Sequence, residues 1–109
     1  MVTNAAKSDL TPARQELIEA MQRTNYGSIE GLPVRRGEPV MNPRPRVIRE
    51  YRFARENGPR PEVAKTDFAL KTEVIDLFAQ LEAIGDGVII RIEIQRGLPF
   101  RMIVEEGNA

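Results

Sequence analysis

The chain predicts an α+β domain: a twisted antiparallel sheet of about five strands with two helices on one face, in the order α-β-β-β-α-β-β. Three observations carry this. Residues 10–40, slid forward by sixty positions, land on residues 70–100 with seven of 31 pairs identical: Leu10/Leu70, Leu17/Leu77, Gly27/Gly87, Ile29/Ile89, Arg36/Arg96, Gly37/Gly97 and Pro39/Pro99. Each copy opens with apolar residues at spacings of three and four, the signature of a helix stripe. Each then passes into alternating apolar residues broken by Arg-Gly, the signature of a hairpin. Two αββ units related by a pseudo-two-fold axis follow.

In chain order, residues 1–9 carry no apolar period and are expected to be loose. Thr11-Pro12 reads as an N-cap followed by proline at the first helical position, where its missing N–H costs nothing. The helix runs to about Arg23 on Ala13, Leu17, Ile18, Ala20 and Met21, with Arg14, Gln15, Glu16, Glu19, Gln22 and Arg23 facing water. Asn25-Tyr26-Gly27 ends it. Its hairpin has a three-residue loop, Arg35-Arg36-Gly37, opposing Leu32 to Val40 and Pro33 to Pro39. Ile29 falls out of phase with Leu32 and Val34, which predicts a bulge near Gly31.

Residues 41–65 lie outside the repeat and are rich in Arg and Pro. As a strand, Val47, Arg49, Tyr51 and Phe53 share a face; as a helix, Arg46, Arg49, Arg52 and Arg55 lie together. The Val, Ile, Tyr and Phe content and Pro43-x-Pro45 favour the strand. The second unit, residues 66–106, begins with a helix from Thr66 or Asp67 to about Ile84 on Leu70, Val74, Leu77, Phe78, Leu81 and Ile84. In its hairpin Val88, Ile90, Ile92 and Ile94 form the inner face. A two-residue loop would oppose Ile92 to Arg101. A three-residue loop, Gln95-Arg96-Gly97 with Gly97 left-handed, instead opposes Ile92 to Phe100 and keeps charge off the core. Ile89 and Ile103 then face outward opposite each other, a candidate dimer face. All of this fits one domain spanning residues 1–109.

With no Cys and no His among 109 residues, the chain lacks the usual general base, thiolate nucleophile and transition-metal ligands. No spacing resembles a catalytic, P-loop, dinucleotide or zinc motif. No enzyme activity, cofactor or metal is expected. No apolar run approaches the ~20 residues of a membrane span, and MVTNAAKSD is too polar for a signal peptide, so a cytoplasmic location without membrane contact is expected.

The formal net charge of zero hides an uneven distribution. Residues 1–34 carry −1, residues 35–60 carry eight Arg against three Glu (+5), and residues 61–109 carry −4. Arg35, Arg36, Arg44, Arg46, Arg49, Arg52, Arg55 and Arg60 are suited to an anionic partner because the guanidinium fork donates two hydrogen bonds at once. Tyr51 among them offers a ring for stacking. The same arginines could instead protect an exposed strand edge or pair with the acidic C-terminal half. The function expected is a non-catalytic, homo-oligomeric binding or assembly module that contacts a partner, a protein included, through this segment. The alternative is a small nucleic-acid-binding protein that places Arg46, Arg49, Arg52 and Arg55 on phosphates.

The run Leu17 to Val40, LIEAMQRTNYGSIEGLPVRRGEPV, resembles the small bacterial YezD-type domain, in which an amphipathic helix leads through Tyr-Gly-Ser-Ile/Val into a glycine-turn hairpin. The matching residues are Tyr26, Gly27, Ser28, Ile29 and Gly37. Residues 77–100 keep Gly87, Ile89 and Gly97. The resemblance implies a helix-hairpin fold and carries no activity over.

Overall fold

The computed structural model describes residues 6–55, 57–58 and 70–106. Two helices, α1 (Pro12–Thr24) and α2 (Thr72–Ile84), lie on one face of a curled antiparallel sheet of five strands: β1 (Gly27–Arg35), β2 (Glu38–Pro39), β3 (Arg46–Arg49), β4 (Gly87–Gln95) and β5 (Leu98–Val104). The order is the one the sequence predicts. β1 and β4 are central; β5 forms one edge, and β2 and β3 share the other, both antiparallel to β1. β2 and β3 thus occupy successive stretches of the edge that corresponds to β5. The insertion between them holds the cis Asn42–Pro43 bond.

The repeat is built into the backbone. α1 and α2, and β1 and β4, begin and end exactly sixty positions apart. β1 pairs with β4 so that Gly27 meets Ile94 and Val34 meets Gly87, each pair becoming the other under the sixty-residue shift. Hydrogen bonds outside the ladder obey the same relation. Gly37 N–H donates to Gly85 O (2.8 Å) and Gly97 N–H to Asn25 O (2.9 Å), while Tyr26 N–H closes on Thr24 O as Asp86 N–H closes on Ile84 O. Asn25 (φ 63°, ψ −58°) and Gly85 (φ 70°, ψ −81°) adopt the same tight γ-turn directly after each helix.

One core joins the units. Leu17/Leu77, Ile18/Phe78, Met21/Leu81, Ile29/Ile89, Leu32/Ile92 and Val34/Ile94 are buried as equivalent pairs, with Val74 and Met41 beside them. Removing this much apolar surface from water is the main force holding the helices to the sheet. Arg14, read from the sequence as water-facing, is drawn between the helices, where its guanidinium meets Glu38 (3.1 Å), Glu82 (3.2 Å) and the Phe78 ring. Gln22 is also buried. Thr11 caps α1 as expected, accepting from Arg14 N–H, and its hydroxyl donates to Glu38 across to β2.

Several expectations need correction. Both hairpins use two-residue loops: Arg35 opposes Glu38, Gln95 opposes Leu98, and Pro33 O accepts from Val40 N–H. Arg36 (φ 51°) and Arg96 (φ 55°) are left-handed with the glycine that follows them, the geometry whose twist matches paired strands. In the second hairpin the core register is rescued by a bulge at Phe100, so that Ile92 opposes Met102, and Arg101 opposes Glu93. Phe100 itself is 61% exposed.

Ile89, expected to face outward with Ile103, is fully buried. β4 slips phase at Ile90 just as β1 slips at Gly31, so the inner residues are Ile89, Ile92 and Ile94, while Val88 and Ile90 point out. Ile103 is exposed, opposite Arg91 rather than Ile89. α2 begins at Thr72, after Leu70 and Lys71; the expected start at Thr66 or Asp67 lies outside the described residues. Of the segment expected to be loose, Lys7–Asp9 forms a 3-10 turn with Lys7 buried against Glu19 (2.6 Å).

Candidate anion-binding surface

Residues 46–49 form a strand, and this decides how the arginines are shared out. β3 pairs with β1 from Gly27↔Arg49 to Glu30↔Arg46, so side chains alternate across the sheet. Arg46 and Arg49 lie an odd number of positions apart and occupy opposite faces. The strand does not gather Arg46, Arg49, Arg52 and Arg55 into one patch.

Three smaller groups result. Arg44 and Arg46 border a groove on the open face of the sheet, floored by Pro33, Val88 and Ile90, with Glu30 on its rim. Arg44 also reaches a cleft between α1 and β3, shared with Arg23, Arg49, Glu16 and Glu19. Arg52 lies over the Tyr26 ring, its guanidinium carbon 3.8 Å from the centroid, in a cavity that also takes in Ser28, Glu50, Arg91, Glu93 and Arg96. The loop after β3 is shaped by Asn57, whose side chain accepts from Arg52 N–H and donates to the carbonyls of Arg52 and Arg55, and whose carbonyl accepts from the Arg49 guanidinium. Tyr51 and Phe53 project from this loop, 67% and 86% exposed, and touch edge to face. Arg35 and Arg36 stand at the opposite end of β1, at the first hairpin turn. Arg60 lies outside the described residues.

Charge is unevenly satisfied. Glu30 is held by Arg91 (2.8 Å), Glu93 by Arg101 (2.8 and 2.9 Å), and Glu82 and Glu38 by Arg14. Among the described residues, the guanidinium groups of Arg35, Arg36, Arg44, Arg46 and Arg55 meet no carboxylate. No group of three or more metal-ligating side chains comes together among these residues, and no helix of theirs is long and apolar enough to cross a membrane.

Sequence reading did not bring Tyr26, Ser28 and Arg96 together as one group, which the structure does. The signal was present in the repeat: position 26 is Tyr in one unit and Asp in the other, at the point where each helix hands over to a central strand. Desolvation pushes the Tyr26 phenol upward, but hydrogen bonds and charge from Arg96 and Arg52 outweigh it and hold the group below its ordinary value of 10.0. Stability therefore rises with pH through this lowered value and levels off at the unfolded one. Absorbance near 295 nm on raising the pH should show phenolate forming earlier in the native chain than in the Arg96→Gln variant. An unchanged titration would refute the assignment.

Comparison with protein-family models, curated proteins and solved structures finds no match for this chain.

Proposed function

We propose that the chain is a non-catalytic, cytoplasmic binding and assembly module that self-associates and contacts an anionic partner through its Arg-rich middle segment. One observation carries the reading. Five exposed arginines at or near this segment meet no carboxylate among the described residues, whereas Glu30, Glu38, Glu82 and Glu93 are taken up by Arg14, Arg91 and Arg101. Exposed guanidinium groups left without partners create a positive potential that steers and holds anions. Self-association has its own support in Val88, Ile90 and Ile103, exposed on the sheet face opposite the helices. The YezD-type resemblance of residues 17–40 accords with a helix-hairpin building block.

A second reading, a nucleic-acid binder, is favoured by Tyr51 and Phe53, two exposed rings beside Arg52 and Arg55 that suit the stacking of unpaired bases. Titration with labelled single-stranded RNA and DNA and with polyglutamate, at low and moderate salt, separates the two. The probe variant replaces Arg44, Arg46 and Arg55 by Ala, because Arg49 and Arg52 also hold the loop together. Each lost phosphate contact flattens the slope of log affinity against log salt by about 0.7–0.9, so the triple variant should lose about 2 units of slope and at least about tenfold in affinity at low salt. Binding to polyglutamate alone points to an acidic protein partner, and preference for single strands points to nucleic acid. If neither polymer binds at low salt, the binding half of the proposal falls. Light scattering tests the other half: a dimer supports assembly and a monomer at high concentration removes it.

A further inference from the structure

The pseudo-two-fold axis makes each hairpin turn a template for the other. At Arg36-Gly37, Gly37 N–H donates to the backbone of Gly85 and Arg36 N–H donates to the Asp86 carboxylate (3.0 Å). At Arg96-Gly97 the first bond is repeated, from Gly97 N–H to Asn25. The second has no counterpart. The residue in Asp86's position is Tyr26, and Arg96 N–H meets no acceptor among the described residues.

What surrounds the unfilled donor is cationic. The Arg52 guanidinium carbon lies 3.8 Å from the centre of the Tyr26 ring, Arg96 lines the same cavity, and Arg52 Nε is buried without an acceptor among the described residues. The buried Ser28 lines the same cavity. Glu30 occupies Arg91 and Arg101 occupies Glu93, which leaves Arg52 and Arg96 facing Glu50, a local excess of one positive charge. Such a site favours a monoanion over a phosphate dianion. The group filling the equivalent turn, Asp86, is itself a carboxylate.

We infer that the Arg96-Gly97 turn, together with Tyr26, Ser28 and Arg52, binds a carboxylate supplied from outside the chain, in the place that Asp86 fills at the other turn. Arg96 N–H and the phenol O–H donate to it, and the Arg52 guanidinium supplies charge-assisted hydrogen bonds. The group can come from a free carboxylic acid or from an acidic side chain of a polypeptide. The inference does not rest on Arg44, Arg46 or Arg55.

Amide chemical shifts of the ¹⁵N-labelled full chain test it, with sodium acetate as the probe and sodium chloride at matched ionic strength as the control. The Arg96 and Gly97 amides should move saturably with acetate, the Arg36 amide should stay still, and Tyr26→Phe and Arg52→Gln should each weaken acetate binding by about tenfold. The Arg44/Arg46/Arg55 triple alanine variant should keep the response, which separates this site from the polymer-binding surface. In Asp86→Ala, whose emptied turn recreates the open donor, the Arg36 amide should begin to follow acetate. A tetraglutamate peptide that binds far more tightly than four separate acetates identifies a polypeptide source, and equal affinity per carboxylate identifies a free acid; either result supports the site. Equal responses to acetate and chloride, tighter binding of phosphate, or indifference to Tyr26→Phe and Arg52→Gln would overturn it.

Discussion

Gly27→Ala should destabilise the protein by on the order of 3 kcal/mol, with the loss read from the midpoint of urea denaturation at constant slope. A Cβ built on Gly27 falls 2.0 Å from the carbonyl oxygen of Ile48 and 3.0 Å from the Arg49 Cα. Both obstacles are backbone atoms of β3, so no side chain can swing aside. The position also has φ +152°, where L residues are rare. Relief requires β3 to part from β1, which undoes the Gly27↔Arg49 pairing. Gly31→Ala is the control: its φ of +66° strains any L residue, but nothing among the described residues lies within 4 Å of the added carbon. It should cost about 1–2 kcal/mol. Equal losses at the two glycines would show that close strand approach is not what Gly27 provides.

Ile89→Asp should leave the chain largely unfolded at room temperature, whereas Ile103→Asp should change the stability of the monomer by no more than about 0.5 kcal/mol. Ile89 is fully buried in the core shared by both helices and the sheet, and Ile103 is 40% exposed opposite Arg91. A carboxylate in the first position has no partner and cannot reach water. For a domain whose total stability is about 5–15 kcal/mol, a penalty above about 4 kcal/mol consumes much of what holds it folded. Circular dichroism and the urea midpoint read both variants. Similar behaviour of the two would place Ile89 at the surface and refute the phase slip in β4.

The contrast between these isoleucines shows where the sequence was legible. Helix stripes, capping by Thr11, the strand at 46–49, the break in phase at Gly31 and the doubling of the unit all follow from spacing and turn chemistry. The slip at Ile90 was hidden because Val88, Ile89 and Ile90 are all apolar, and straight alternation runs through them without contradiction. Only the repeat held the correction: Gly31 marks the break between Ile29 and Leu32 in β1, and the shift by sixty carries it to Arg91, between Ile89 and Ile92 in β4. The loop lengths were misread for a related reason. A two-residue turn looked excluded because it opposed Ile92 to Arg101, but a bulge at Phe100 restores the register further along the strand, and nothing local announces it.

The candidate site was less legible still. Composition located the arginines, and only the strand's alternation showed that Arg46 and Arg49 face different ways. The Tyr26, Arg52 and Arg96 group depends on strands meeting across the sheet, information absent from any one segment.

The β1–β4 seam also sets how this chain must fold. Every residue pair along it joins positions about sixty residues apart, and closing a loop of that length costs roughly 3–4 kcal/mol of chain entropy before any contact repays it. Neither helix has a complete floor of its own, because the buried faces of β1 and β4 form one surface beneath both. A half formed alone would leave its apolar face wet. The two copies therefore gain their stability together, at the moment the seam closes, and the domain behaves as a dimer whose partners are tied end to end: all-or-none in unfolding, with its slow step at the centre rather than in either hairpin.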